Sequence, residues 1–173
     1  MAIQRLNHAV LYVRDSARSA RFYCDVLGFR IVSDLPGAAF LQAADSTNDH
    51  DLGLFQVGPQ AGGTTAGRST VGLYHLAWEV DTLEELGRIA GALREAGALV
   101  GASDHGTTKA LYGRDADGIE FEVSWLVPAR LIDDAARAVK GALPLDLAAE
   151  KLRYGARTPG GLGVSSPEPV PSR

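Results

Sequence analysis

LNHAVLYV, residues 6–13, is a short apolar strand carrying one imidazole, and residues 72–80, GLYHLAWEV, repeat it with His75 in the place of His8. Working outward from the first copy, Asp15 offers an N-cap for a helix through RSARFYCDVL, closed by Gly28. Three extended segments follow: FRIVSDL, then AAFLQAA after a Pro36-Gly37 turn, then LGLFQV beyond the polar loop DSTND. The unit reads βαβββ. From the second copy, Asp81 or Thr82 caps a helix whose Leu83, Leu86, Ile89, Ala90 and Leu93 share one face, Thr82 and Glu85 can form a capping box, and Gly97 ends it. ALVGA, KALYGR, a DADG turn and IEFEVSW complete a second βαβββ. Aligning His8 with His75, Gly28 with Gly97 and Phe55 with Phe121 makes this an internal repeat.

The repeat divides the chain into a first module over residues 1–58, a Gly/Thr/Ser-rich linker over 59–70 and a second module over 71–127. A helical extension is expected over 128–155, and a Pro/Gly/Ser-dense tail over 156–173 is expected to be disordered, without chemistry of its own. The fold class is therefore α+β: two βαβββ modules in pseudo-twofold repeat, expected to form a cup-shaped mixed sheet around a metal site. The extension is expected to cover an edge of the fold or to help a dimer form.

Composition narrows the partners. With 17 Lys+Arg against 21 Asp+Glu, the net charge of −4 supplies no footprint for nucleic acid or an anionic membrane surface, so small molecules are the expected partners. A single Cys, Cys24, excludes an intrachain disulfide and a thiolate-only metal cluster; it is expected to pack its helix, and any metal must use nitrogen and oxygen ligands. With no apolar run at the N-terminus and no 18-residue apolar stretch later, a cytoplasmic location is expected.

His8 and His75 hold equivalent places in the two opening strands, so a pseudo-twofold axis would bring their imidazoles together. Period-two alternation in the last strand sets Glu120, Glu122 and Ser124 on one face and Phe121 and Val123 on the other. Two imidazoles and a carboxylate with open positions beside them suit Fe(II), and also Mn(II), Ni(II), Co(II) or Zn(II). Gln56, taken as the repeat equivalent of Glu122, is a candidate fourth ligand. Arg114, Asp115 and Asp117 are expected to shape the hairpin turn.

NHAVLYV, FYCDVLGF, GLYHLAWEV and DADGIEFEV together resemble the vicinal-oxygen-chelate superfamily, also described as the glyoxalase, bleomycin-resistance and extradiol-dioxygenase fold, over about residues 3 to 127. The resemblance implies that His8, His75 and Glu122 are the metal ligands. It leaves the reaction open among ring cleavage, isomerisation, epimerisation, thiol addition and ligand sequestration. A glutamine at position 56 disfavours glyoxalase I chemistry, because an amide cannot accept a substrate proton at neutral pH. Epimerase-like sequences present His, Gln, His and Glu in this order, but Phe40 stands where their additional catalytic Glu would be.

The extradiol dioxygenases match further. DHDLGLF resembles the segment carrying their active-site His, which would be His50, acting in acid-base transfer. Tyr112, ten residues before Glu122, resembles their substrate-binding tyrosine, and DHGTTKALY makes His105 a further catalytic candidate. The resemblance implies an Fe(II) enzyme that takes an aromatic diol and dioxygen. Three departures stand out: the better-known relatives carry two such paired domains, so a homodimer that completes the pocket is expected here; Asp49 stands where many of them have another His; and Asp115-Ala116-Asp117-Gly118-Ile119 lacks the Pro and Asn usual in that turn.

Overall fold

The computed structural model describes residues 2–3, 5–67 and 69–161. It divides into two compact units, Met1–Val71 with Asp115–Ile119, and Gly72–Arg114 with Glu120–Arg173. Among the described residues no helix is long and apolar enough to cross a membrane.

In the first unit β1 (Ala9–Val13) leads to α1 (Ser16–Leu27), then β2 (Arg30–Leu35), β3 (Ala38–Gln42) and β4 (Leu52–Gln56), in the sheet order β1-β4-β3-β2. β1 runs parallel to β4, and the other pairs are antiparallel. The Asp15 carboxylate accepts the Arg18 N–H at 2.9 Å, satisfying a helix-end donor, and Gly28 closes α1 at φ 77°, where a side chain would be strained. Leu11, Val13, Leu52 and Leu54 are buried with Ala20, Tyr23 and Val26 of the helix, while the alternate residues Val10, Tyr12 and Phe55 are exposed. Period-two alternation thus separates a core face of the sheet from an open one.

Residues 115–119 join two strands of the second unit in sequence, yet they pack with the first. The Asp115 carboxylate accepts the N–H groups of Asp117 and Ile119, both at 2.9 Å, and the Tyr23 hydroxyl at 3.1 Å. Burial pushes its carboxyl above the ordinary range. Asp117 accepts the Arg14 N–H at 2.9 Å and pairs with the Arg14 and Arg18 guanidinium groups at 3.0 and 2.6 Å. The two aspartates do shape the turn, as expected, and they also anchor it to α1 and β1. Asp117→Ala is expected to cost about 2–3 kcal/mol, the scale of a charged hydrogen bond removed from a part-buried site, read as a lower denaturant midpoint.

The second unit repeats the plan with β5 (Leu76–Glu79), α2 (Leu83–Glu95), β6 (Leu99–Asp104), β7 (Thr108–Arg114) and β8 (Glu120–Leu126) in the order β5-β8-β7-β6. Thr82, not Asp81, caps α2, accepting the Glu85 N–H at 3.2 Å. The five apolar residues read as one helical face are all buried, with Phe121, Val123 and Trp125 completing that core. Burial of each larger aliphatic or phenyl side chain among them contributes roughly 1.5–3 kcal/mol, and the single methyl of Ala90 less.

The extension is less helical than its sequence suggests. A 3-10 turn (Ala129–Leu131) and α3 (Asp134–Ala138) give way to β9 (Leu143–Pro144), which lies antiparallel along β6, before α4 (Leu147–Tyr154). Gly141 and Pro144 explain the break, since one favours a positive φ and the other lacks an N–H, and a proline is tolerated on an edge strand. β9 covers the β6 edge. Lys109, fully buried on β7, pairs with Asp104 at 2.5 Å and with Glu150 of α4 at 2.8 Å, which fastens the extension. Residues 156–161, expected to be disordered, are tied to this unit instead. The Ala156 carbonyl accepts the Glu84 N–H at 2.8 Å, and the Gly160 N–H donates to Asp81 O at 2.8 Å. The remainder of the expected tail, 162–173, lies outside the described residues.

Candidate functional site

On the open face of the first sheet, the His8 and His50 rings lie 4.5 Å apart, and Phe40 meets His50 edge-on at 5.1 Å. Phe40 in turn packs edge-on against Phe55 at 5.8 Å. The Asn7 amide oxygen lies 2.7 Å from His8 Nδ1, which leaves Nε2 as the nitrogen available to a ligand. Asp49 Oδ1 lies 3.3 Å from His50 Nδ1 and accepts the His50 backbone N–H at 2.9 Å. That backbone hydrogen bond holds the Asp49 carboxyl below its ordinary range. The exposed Asp-rich loop therefore carries a half-buried imidazole whose Nδ1 is turned to a carboxylate. Sequence reasoning passed over Asp49, noting only that it replaced a histidine.

The second unit brings three of its four predicted site residues onto one face. His75 Nε2 and Glu122 Oε2 lie 3.2 Å apart, and the Tyr112 ring is centred 6.0 Å from that of His75. Tyr112 is the cross-strand partner of Glu122. Burial, then the negative charge of Glu122, raises the Tyr112 hydroxyl above its usual value, so it keeps its proton at neutral pH. His105, the fourth, enters through a hydrogen bond of 3.0 Å between Nε2 and the Tyr112 hydroxyl. Glu120, on the same face as Glu122, is drawn to Arg114 at 3.5 Å instead.

His75 and Glu122 suit a metal. His75 Nδ1 is buried with no hydrogen-bond partner among the described residues, and such an orphan costs roughly 1–3 kcal/mol. A carboxylate turned toward a half-buried imidazole is a nitrogen and oxygen donor pair of the kind divalent cations take. Within neither unit do three His, Cys, Asp or Glu side chains gather as a ligand group among the described residues.

Gln56 sits apart from these groups. Its amide oxygen accepts the Ser16 N–H at 3.3 Å, at the start of α1. It pairs with Val13 in the register, on the core face, whereas His8, Val10 and Tyr12 belong to the other. The strand registers also correct the repeat. Ala77, two residues after His75, pairs with Glu122, and Val10, two residues after His8, pairs with Gly53. Gly53, and not Gln56, is the structural equivalent of Glu122, and Leu52 rather than Phe55 matches Phe121. A Cβ built on Gly53 would meet Val10, Phe40 and Phe55 at 3.4 to 3.6 Å, so the space above it is lined by the open face. Nothing in the sequence reveals this, because a parallel pairing register leaves no local mark.

Cys24 is half-buried in α1, its thiol pushed up by burial, and meets none of these residues in a hydrogen bond or ion pair. Trp125 is core, its indole N–H donating to Asp81 O at 3.1 Å.

Comparison with known proteins gives a consistent picture. Residues 5–123 match the family model described as Glyoxalase/Bleomycin resistance protein/Dioxygenase superfamily. A Catechol-2,3-dioxygenase from Bacillus subtilis (strain 168) is 34% identical over 118 residues, covering 68% of this chain and 40% of that protein. A Biphenyl-2,3-diol 1,2-dioxygenase 3 from Rhodococcus globerulus is 36% identical over 121 residues, covering 69% of this chain and 62% of that protein. The chain thus spans about half the length of the curated relatives it matches. Among solved structures, a glyoxylase/bleomycin resistance protein/dioxygenase domain from Frankia sp. EAN1pec superposes with a TM-score of 0.56 at 24% identity, covering 71% of this chain and 92% of that one. That likeness bears on the fold alone.

Proposed function

We propose, proceeding from the fact that this chain belongs to the Glyoxalase/Bleomycin resistance protein/Dioxygenase superfamily, that it is a metal-dependent enzyme opening the ring of a catechol-type diol with dioxygen. His8, His75 and Glu122 are the proposed ligands. The observation that carries the reading is Gly53: the place where the first half would present its own carboxylate has no side chain. Three protein ligands leave the coordination positions that a chelating diol and dioxygen both require, whereas a fourth would take one of them. The two dioxygenase-named relatives support the same choice.

Fe(II), when bound, would relay electron density from the diol to dioxygen, which otherwise reacts poorly with singlet organic molecules. The chain's own residues supply the rest. His50 is the proposed acid-base group, its Nδ1 turned to Asp49 and its Nε2 free to exchange a proton with the substrate. Phe40 holds the His50 ring edge-on and so fixes its direction. Tyr112 presents a hydroxyl, protonated at neutral pH, whose oxygen can orient a hydroxyl of the substrate. Val10, Phe40 and Phe55 give the open face of the first sheet an apolar surface suited to an aromatic ring.

Anaerobic loading with Fe(II), followed by oxygen uptake across a panel of catechols, tests this directly. Oxygen consumption with a yellow ring-fission product is the expected result. No uptake from an iron-replete protein would move the assignment to an epimerase or lyase of the same superfamily. Failure to retain any divalent metal would move it to a small-molecule binding protein. Gly53→Glu should retain metal yet lose oxygen uptake, because the added carboxylate competes for the open positions.

A further inference from the structure

We propose that the C-terminal extension is part of the active site, and that the Gly141 carbonyl sets the direction of hydrogen bonding at Tyr112 by fixing the tautomer of His105. The inference rests on the reading of Tyr112 as a hydroxyl that faces the diol substrate.

The geometry forms a chain of three groups. His105 Nδ1 lies 3.1 Å from Gly141 O, and His105 Nε2 lies 3.0 Å from the Tyr112 hydroxyl. A carbonyl oxygen can only accept, so Nδ1 carries the hydrogen. In the neutral ring Nε2 is then an acceptor, and the Tyr112 O–H donates to it. This is the reverse of the tautomer a free imidazole prefers, so the carbonyl has a defined effect. The Tyr112 oxygen keeps its lone pairs for a hydroxyl on the substrate.

The arrangement makes Tyr112 and His105 a proton-accepting pair. A substrate O–H gives its proton to the Tyr112 oxygen as the Tyr112 proton passes to His105 Nε2. The O–H bond of the substrate breaks, the tyrosine ends neutral as it began, and the charge rests on an imidazolium whose Nδ1–H faces Gly141 O. His105 is thereby assigned the role of receiving the proton, while Gly141 is a positioning residue that never touches substrate.

Gly141 is held in place by more than this bond. Two residues later β9 pairs with β6, Leu143 opposite Asp104 and Pro144 opposite Ser103, so both ends of the His105 contact are tied to the same strand edge. Gly106, beside His105, lies at φ 80°, and a Cβ there would come within 2.1 Å of Ala136 O, so only glycine lets the extension approach this closely. The buried Lys109 between Asp104 and Glu150 locks the far end.

The test is the tautomer itself, read in this 173-residue chain labelled with 15N-histidine by two-bond 1H–15N correlation. The wild type is expected to show His105 with hydrogen on Nδ1. Gly141→Val, which strains a backbone at φ 86° without meeting any neighbour within 4 Å, is expected to shift His105 toward the Nε2–H form. Tyr112→Phe should move the Nε2 resonance and leave the tautomer unchanged. With a catechol that is turned over, Tyr112→Phe and His105→Ala should each lower kcat by about 10²–10⁴, and the double variant should be no slower than the worse single one. His105 found with hydrogen on Nε2 in the wild type, or additive losses in the double variant, would overturn the proposal. The tautomer is read without turnover, so it stands or falls separately from the assignment of ring cleavage.

Discussion

His75→Ala and Glu122→Gln are each expected to lower divalent-metal affinity by more than about 100-fold, beyond the 10–100-fold typical of residues that only support a ligand. Glu122→Gln is the sharper of the two, because it removes a charge and little volume. His8→Ala should behave in the same way, since its Nε2 is the nitrogen left free by the contact between Nδ1 and Asn7. His50→Ala should instead leave metal affinity within about 10-fold of the wild type and slow turnover by about 10²–10⁴, the range for a positioned acid-base group. Titration of the metal-free protein with Co(II), followed by absorbance, separates the two groups without needing a substrate. Equal loss of metal from all four variants would remove the division between ligands and His50.

Lys109→Ala is expected to destabilise the fold by about 3–5 kcal/mol, the cost of breaking a buried ion pair by removing one partner. Lys109 is 0% exposed, and its ammonium faces two carboxylates, at 2.5 and 2.8 Å. Without it, Asp104 and Glu150 become neighbouring negative charges with a cavity between them. At roughly 2–4 °C per kcal/mol for a chain of this size, the melting temperature should fall by about 6–20 °C. The loss should fall on the extension first, because Glu150 lies on α4 while Asp104 and Lys109 lie on β6 and β7. Faster hydrogen exchange at α4 and β9 than at β7 would confirm that order. Lys109→Met, which refills the volume without the charge, should recover little while both carboxylates remain. A variant as stable as the wild type would mean the triad is not what holds the extension.

Much of the fold was legible because local chemistry wrote it. Asp15 and Thr82 cap the two helices through their own side chains, Gly28 ends the first, and every residue assigned to the apolar face of α2 is buried. The two βαβββ modules appear with matching strand orders. His75 with Glu122 and Tyr112 could be foreseen from alternation along β8 and from the spacing of β7 and β8, since antiparallel neighbours joined by a short turn have a register that can be counted.

Where the chain returns from a distance, counting fails. β1 meets β4 across a helix and two strands, so the pairing of Val10 with Gly53 depends on packing over the whole unit, and Gln56 turned out to serve α1. Likewise no local pattern announces that Gly141 would lie against His105, or that Lys109, charged and mid-strand, would be buried between two acids. The sequence by itself determined the repeated modules, their caps and their apolar faces, because capping and periodicity act over a few residues. Only the tertiary structure decided which residue opposes which across a parallel pair and what the extension touches, because those contacts follow from burying apolar surface between segments far apart in the chain.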